Sequence, residues 1–138
     1  TGLEEMVAAA REAGTEVTVT YADGAGPDVF AGLPTMTQHT VHRAVQEGLT
    51  NARKHAPSQT VSITVRETSG AVDIEMRNPL PAAKADDRAG SSAGGYGLVG
   101  LRERVELSGG RMNVHVGEEC EEFGWSIRLP LAHKEATQ

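Results

Sequence analysis

Apolar and polar positions alternate in five separate stretches of the chain, and this alternation predicts five β-strands. In the first stretch, Val17, Val19 and Tyr21 alternate with Glu16, Thr18 and Thr20, as expected for a strand with one buried face. Ser69-Gly70 predicts a tight turn between the second and third strands, and an acidic turn at 118–122 separates the last two. The four later strands carry their alternating apolar residues at Val61, Ile63 and Val65, at Val72, Ile74 and Met76, at Met112, Val114 and Val116, and at Trp125, Ile127 and Leu129.

A period of 3.6 residues predicts three helices, at residues 3–13, 36–56 and 98–107. In the second of them, Val41, Val45, Leu49 and Ala52 form an apolar stripe that should face a core. Thr35 is predicted to cap this helix, with Gln38 reaching back to the cap. Each helix is followed by a residue type that ends helices: Gly14, Pro57 and Ser108-Gly109-Gly110.

The order of these elements predicts a two-layer α/β sandwich of the α+β class. A mixed sheet of about five strands would be covered on one face by about three helices. The 138 residues fit a single domain, 1–138, and are enough to bury a core. Aromatic residues are scarce, so aliphatic side chains must supply most of that core.

Charge and composition exclude several classes of function. The formal net charge is −6, with Lys and Arg dispersed, which argues against nucleic-acid binding. Cys120 is the only cysteine, which excludes an internal disulfide and suits a reducing cytosol. No apolar run approaches the ~20 residues of a membrane-spanning helix, and we expect no signal peptide ahead of the first helix. We therefore expect a cytoplasmic domain that makes no membrane contact itself. The sequence does not decide whether the parent protein is anchored in a membrane.

The second helix carries a polar stripe with metal-binding chemistry. Glu47, Asn51 and Lys54 fall together, roughly 140° round the helix from the apolar stripe. A carboxylate and an amide oxygen one turn apart can hold Mg²⁺, which prefers oxygen ligands and keeps waters that phosphates can replace. The ammonium group can then meet a phosphate. The alternative is a solvated helix face, since charged exposed faces are common.

Glycines precede the third helix, and a small, polar stretch precedes the glycines. Gly95, Gly97 and Gly100 leave backbone N–H groups uncovered where this helix begins, which favours a phosphate site. The spacing matches neither a dinucleotide fingerprint nor a P-loop. The stretch 82–94 has no periodicity and little apolar surface, so it is either a mobile lid over the phosphates or a plain surface loop.

Two motifs carry a resemblance to a known family. Residues 46–56, Q-E-G-L-T-N-A-R-K-H-A, resemble the N box of the Bergerat (GHKL) ATP-binding fold. Residues 95–105, G-Y-G-L-V-G-L-R-E-R-V, resemble the lid glycine box of sensor histidine kinases related to the nitrate and fatty-acid-desaturation sensors. Both motifs occur in the family's order and separation, and the resemblance spans residues 15–131.

This resemblance implies a catalytic domain that binds Mg-ATP and passes the γ-phosphoryl group to a histidine. That histidine would lie on a separate dimerisation and phosphoacceptor domain of the same kinase, with a response regulator as the indirect partner. Asn51 would ligate Mg²⁺, and Glu47 would hold a metal-bound water or act as base. A flexible ATP lid would span about 82–96. The remaining nucleotide contacts would come from Lys54 and His55 on phosphate oxygens and from Gly95, Tyr96, Gly97, Leu98 and Gly100 around the phosphates.

The chain departs from the family pattern at the adenine site. Asn78 stands where the family usually has an aspartate, and its amide oxygen can accept the same hydrogen bond from the adenine amino group without the charge. Trp125 stands where the family commonly has a threonine. Two alternatives stay open: an anti-sigma serine kinase of the same fold, and a nucleotide-binding module without catalysis. His39 and His42 lie one turn apart but lack the third ligand of a zinc site.

Overall fold

The computed structural model describes residues 2–26, 28–55, 59–79, 98–116 and 122–131 of the chain. Within these ranges lie three α-helices, five β-strands and one short 3-10 turn, and the predicted helices and strands are confirmed. The 3-10 turn, Val29–Gly32, lies inside a segment that the sequence predicted to be loop. The helices are α1 (Leu3–Glu12), α2 (Thr35–His55) and α3 (Leu98–Leu107), and the strands are β1 (Val17–Ala22), β2 (Val61–Thr68), β3 (Ala71–Pro79), β4 (Arg111–Val116) and β5 (Glu122–Pro130).

The five strands form one mixed sheet in the order β1-β2-β3-β5-β4. β1 and β2 are parallel and are connected through α2, whereas the other three neighbouring pairs are antiparallel. The register places Met76 opposite Trp125 and Asn78 opposite Phe123. Because a slip of one residue would turn every side chain of a strand to the other face, this register decides which residues face the helices.

The turn between β2 and β3 takes the form that a two-residue hairpin requires. Ser69 and Gly70 both have positive φ, 53° and 77°. Two consecutive left-handed residues form a turn whose twist matches that of the flanking strands. This turn confirms the tight turn predicted from Ser-Gly and fixes the register of β3.

The core lies between the helices and one face of the sheet, so the predicted two-layer sandwich is confirmed. The opposite face carries charged pairs: Arg128 donates to Asp73 at 2.7 Å, and Arg77 lies 2.8 Å from Glu75. The sheet supplies the core's largest fully buried side chains, together with Val7 of α1 and Val45 of α2. These side chains are Trp125, Ile63, Ile74, Met76, Ile127, Leu129, Val61, Val65 and Val72.

α1 is held against the edge strand β1 by polar contacts as well as by burial of Leu3 and Val7. The guanidinium of Arg11 donates to the carbonyl oxygen of Val17 through Nε at 3.3 Å and Nη2 at 2.8 Å. The hydroxyl of Tyr21 donates to Glu4 Oε2 at 2.7 Å. Burial and this contact with Glu4 raise the pKa of Tyr21 to about 12, so the phenol keeps its proton and its role as donor further into the alkaline range than an ordinary tyrosine.

α2 begins one residue earlier than predicted, and its N-terminus is arranged differently. Thr35 is the first helical residue rather than the cap, because the Gln38 N–H donates to the Pro34 carbonyl at 2.9 Å. Gln38 does reach back, but its side-chain amide donates to the Leu33 carbonyl at 2.9 Å rather than receiving a backbone N–H. Pro34 therefore stands at the cap position that the capping pattern assigned to Thr35. None of the described helices is long and apolar enough to cross a bilayer.

Gly48 lets α2 approach the sheet closely. A Cβ at this position would overlap the sulfur of Met76 and would lie 3.0 Å from the Met76 methyl and 3.1 Å from Trp125 Nε1. Real Cβ atoms rarely come so near to other atoms, so the missing side chain is what allows this separation between helix and sheet. A glycine inside a helix usually lowers helix stability, and here the close packing against a tryptophan supplies the compensating gain.

We predict that Gly48→Ala destabilises the fold although alanine is the better helix former. Overpacking a filled core costs on the order of 1–3 kcal/mol, which exceeds the ~1 kcal/mol that alanine gains over glycine in a helix. Urea unfolding followed by circular dichroism measures the difference. Gly100→Ala in α3 is the matched control, because nothing lies within 4 Å of a Cβ there, and it should be neutral or stabilising. A gain in stability at both positions would contradict the close packing at Gly48.

Candidate functional site

Asn51 is buried, with only 5% of its surface exposed. The sequence placed it well away from the apolar stripe of α2, and the interpretation of a solvated helix face is wrong for this residue. The buried arc of α2 is wider than the stripe because α1 and α3 both pack on this helix. Thr37, Thr40, Ala44 and Gly48 widen the arc, but their small or polar side chains gave no hydrophobic signal.

Asn78 is the other buried asparagine, again with 5% exposed, and it occupies the last inward position of β3. Its side-chain amide Nδ2 donates to the carbonyl oxygen of Pro79 at 3.1 Å. This hydrogen bond orients the carboxamide and leaves Oδ1 as an acceptor. An acceptor fixed in this way is what the predicted contact with an adenine amino group requires.

The two asparagines interrupt an otherwise apolar boundary between α2 and the sheet. Only four polar residues of the described part of the chain are buried, Thr37, Thr40, Asn51 and Asn78. Thr40 is satisfied within its own helix, since its hydroxyl donates to the Met36 carbonyl at 3.3 Å. Asparagine is mostly exposed in folded proteins, so two buried carboxamides at one boundary mark a candidate ligand site.

The polar stripe of α2 runs from this buried boundary outward to the surface. Glu47 is half-buried one turn before Asn51, and Lys54 is exposed near the end of the helix. His55 is the last residue of α2, and its side chain lies outside the described part of the structure. The stripe therefore presents a carboxylate and an ammonium group at the rim of the boundary that Asn51 enters.

Only part of the glycine-rich segment falls within the described residues. α3 begins at Leu98, as predicted, and Gly100 lies exposed in its first turn with open space beside it. Gly95, Tyr96 and Gly97, the side chain of Leu98 and the predicted lid at 82–96 lie outside the description. The predicted phosphate contacts of these residues stay predictions.

Gly48 was not among the residues predicted to form the site, and Trp125 was named only as a departure from the family pattern at the adenine site. Gly48 is three residues before Asn51, so the two are neighbours on one face of α2. Trp125 packs against Gly48, and its indole Nε1 is the only fully buried side-chain nitrogen or oxygen of the described residues without a hydrogen-bond partner. A glycine inside a helical pattern was the available sequence signal, because such a glycine often marks a close approach.

No cluster of three or more His, Cys, Asp or Glu side chains occurs among the described residues. His39 and His42 are both exposed on α2. Glu47 and Asn51 offer one carboxylate and one amide oxygen, and this donor set suits Mg²⁺ in the presence of phosphate oxygens.

Comparison with known families matches residues 36–133 to the histidine kinase-, DNA gyrase B- and HSP90-like ATPases. The match covers well over half of the chain and includes α2, Asn51 and Asn78. The chain belongs to this family of ATPases. The mixed sheet with helices on one face is the fold that this membership implies.

Similar proteins include two histidine kinases and one solved histidine kinase domain. Signal transduction histidine-protein kinase/phosphatase DegS of Brevibacillus brevis is 30% identical over 80 residues, 58% of this chain and 20% of its own length. Sensor histidine kinase LnrJ of Bacillus subtilis (strain 168) is 28% identical over 120 residues, 86% of this chain and 27% of its own. The chain thus spans about a quarter or less of these relatives.

The solved structure is the histidine kinase domain from the Erythrobacter litoralis EL346 blue-light activated histidine kinase. It superposes with a TM-score of 0.64 and 21% identity, covering 97% of this chain and 65% of that chain. A likeness at this identity supports the fold of the whole described sheet and its helices.

We predict that Asn78 gives the site a preference for ATP over GTP. Its free acceptor can pair with the amino group of adenine but faces an acceptor, O6, on guanine. A mispaired buried group costs on the order of 1–3 kcal/mol, or roughly 5- to 150-fold in affinity. Competition binding with the two nucleotides measures this ratio. Asn78→Asp should bind ATP at least as tightly, because a charged acceptor strengthens the hydrogen bond. Equal affinity for ATP and GTP would remove this role from Asn78.

Proposed function

We propose that this chain is the ATP-binding catalytic domain of a bacterial two-component sensor histidine kinase. It binds Mg-ATP and donates the γ-phosphoryl group to a histidine on a separate dimerisation and phosphoacceptor domain. The observation that carries the proposal is the pair of buried carboxamides, Asn51 and Asn78, at the boundary between α2 and the sheet. Membership in an ATPase family and the kinase names of both relatives support it.

Asn78 recognises the base in this proposal. Its Nδ2 is already engaged by the Pro79 carbonyl, so Oδ1 accepts from the exocyclic amine of adenine. Lys54 and His55, at the C-terminal end of α2, meet phosphate oxygens. Gly95, Tyr96, Gly97, Leu98 and Gly100 surround the β- and γ-phosphates, where uncovered N–H groups and the positive end of α3 favour negative charge.

Asn51 and Glu47 would hold Mg²⁺ together with phosphate oxygens. Their oxygen donors fit this ion, which commonly takes only one or two protein ligands in phosphate-binding sites. When bound, the ion neutralises charge that develops on the phosphates during transfer. Burial of Asn51 fixes the direction of its carboxamide, and the half-buried position of Glu47 keeps its carboxylate open to water or substrate.

For phosphoryl transfer itself, the main task of the protein is to position the γ-phosphoryl group and the acceptor imidazole. The γ-phosphorus forms a bond to an imidazole nitrogen of the acceptor histidine while its bond to the β,γ-bridging oxygen of ATP breaks, and ADP leaves. The imidazole must lose its N–H proton, and Glu47 is the carboxylate placed to receive it directly or through an ordered water. The domain acts in the cytoplasm, and a response regulator takes the phosphoryl group onward from the acceptor.

Calorimetry with Mg²⁺ and a non-hydrolysable ATP analogue tests the nucleotide part of the proposal. We predict saturable binding that weakens strongly when Mg²⁺ is chelated. Asn51→Ala should weaken this Mg²⁺-dependent binding at least tenfold, because it removes a buried oxygen ligand. Asn113→Ala is the matched control, since Asn113 is exposed on the outer face of β4. Loss of affinity in both variants, or in neither, would contradict the role of Asn51.

A second prediction separates chemistry from binding. Glu47→Gln keeps a side-chain oxygen for the metal but cannot take up a proton, so it should leave nucleotide affinity within a few-fold and lower phosphotransfer by about 10²–10⁴-fold, the range typical of a lost general base. The assay follows phosphohistidine formation in the kinase that contains both domains. Glu12→Gln, the same change on the exposed surface of α1, is the control. Unchanged transfer in Glu47→Gln would exclude Glu47 as the base.

A further inference from the structure

The indole N–H of Trp125 has no hydrogen-bond partner, although its side chain is buried and only 1% of the residue is exposed. Such a donor costs on the order of 1–3 kcal/mol of stability unless something satisfies it. Phenylalanine at this position would supply a similar aromatic surface without the polar atom. The unpaired donor therefore calls for an explanation by function.

The surroundings of this N–H connect it to the candidate nucleotide site. Nε1 lies at Gly48 of α2, three residues before Asn51. On the sheet, Trp125 is the partner of Met76, while Asn78 is the partner of Phe123. Asn78 and Trp125 are thus diagonal neighbours on the same inward face, a separation that long and aromatic side chains can bridge. A buried residue with an acceptor and a buried residue with a donor thus lie at diagonal positions of neighbouring strands, on the same inward face.

This pair of polar atoms has a defined chemical complement. Asn78 Oδ1 accepts and Trp125 Nε1 donates, so the matching ligand edge offers a donor next to an acceptor. The exocyclic amine of adenine, flanked by the ring nitrogens N1 and N7, is such an edge. Guanine presents the carbonyl oxygen O6 where adenine has its amine, which leaves Asn78 facing another acceptor.

Met76 is the side chain that stands next to this donor. Its sulfur and methyl and the indole Nε1 all lie around the single point where a Cβ of residue 48 would be. Methionine is unbranched and flexible, so its thioether can move without a change in the backbone.

We propose that Trp125 is a specificity-determining residue of the nucleotide site, whose indole N–H donates to the adenine ring nitrogen beside the amine that Asn78 reads. This inference rests on the proposed function and names a contact that the ATP-binding role alone does not require. Binding displaces the Met76 thioether from the N–H. The donor that is unsatisfied in the free domain gains its partner in the complex.

Deaza analogues of ATP test the contact atom by atom in the unaltered protein. Replacing the contacted nitrogen by C–H, in 1-deaza-ATP or 7-deaza-ATP, should weaken Mg²⁺-dependent binding about tenfold, equivalent to about 1.4 kcal/mol. 3-deaza-ATP is the control, because N3 does not flank the amine. In Trp125→Phe, the sensitive analogue and ATP should bind with equal affinity. The same loss in both proteins, or no loss with either analogue, would overturn the proposal.

A second measurement needs no variant and applies even if Trp125→Phe does not fold. Trp125 is the only tryptophan of the chain, so a ¹⁵N-labelled sample shows one indole N–H resonance. ATP should shift this resonance downfield as the hydrogen bond forms, and the sensitive deaza analogue at saturation should not. An identical shift with both would overturn the contact while leaving ATP binding intact. Failure of ATP itself to bind would instead contradict the proposed function.

Discussion

The close approach of α2 to the sheet at Gly48 is the constraint on which the rest of the candidate site depends. Met76 and Trp125 fill the space that a side chain at position 48 would take. Asn51 enters the same boundary one helical turn later, and Asn78 enters it from the neighbouring inward position of β3. Since protein interiors are packed as densely as organic crystals, a larger residue at 48 would shift both asparagines relative to each other. Packing thus sets the geometry of the polar groups.

The same boundary shows how an apolar core and a polar site coexist. Two carboxamides and one indole N–H are withdrawn from water in a layer otherwise made of aliphatic and aromatic side chains. Each is expensive without partners, and the Pro79 carbonyl satisfies only one of the Asn78 groups that can form hydrogen bonds. In the proposed function, a nucleotide supplies partners for the Asn78 oxygen and for the indole N–H. The unfavourable burial of polar groups then becomes a source of affinity and of selectivity.

Much of the architecture follows from local patterns. Alternation predicted all five strands, and the terminating residues Gly14 and Ser108-Gly109-Gly110 placed the helix ends well. The pattern could not predict the width of the buried arc on α2, because that width depends on α1 and α3 packing on both sides of the helix. For that reason Asn51 was placed on a polar stripe that the sequence alone left open to solvation. Helical periodicity depends only on the sequence of the helix itself, whereas the burial of its residues also depends on the elements that pack against it.

The site was predicted in part and for similar reasons. Glu47, Asn51 and Lys54 were identified by spacing, and Asn78 by the family resemblance, which puts an aspartate at its position. Gly48 was missed because it has no effect by itself: it matters only where Trp125, which the resemblance placed at the adenine site, packs against it. The 3-10 turn at Val29–Gly32 was missed because a single short turn has no periodicity to detect.

The three asparagines of the chain allow one direct test of the central claim, that Mg-ATP binds at the boundary between α2 and the sheet. Their side-chain carboxamides give separate ¹⁵N resonances during titration with Mg²⁺ and a non-hydrolysable ATP analogue. Asn51 and Asn78 lie at the boundary, and Asn113 lies on the outer face of the sheet. We predict that the resonances of Asn51 and Asn78 shift together and saturate at one affinity while Asn113 stays unchanged. Saturating binding that leaves Asn51 and Asn78 unshifted would contradict the account.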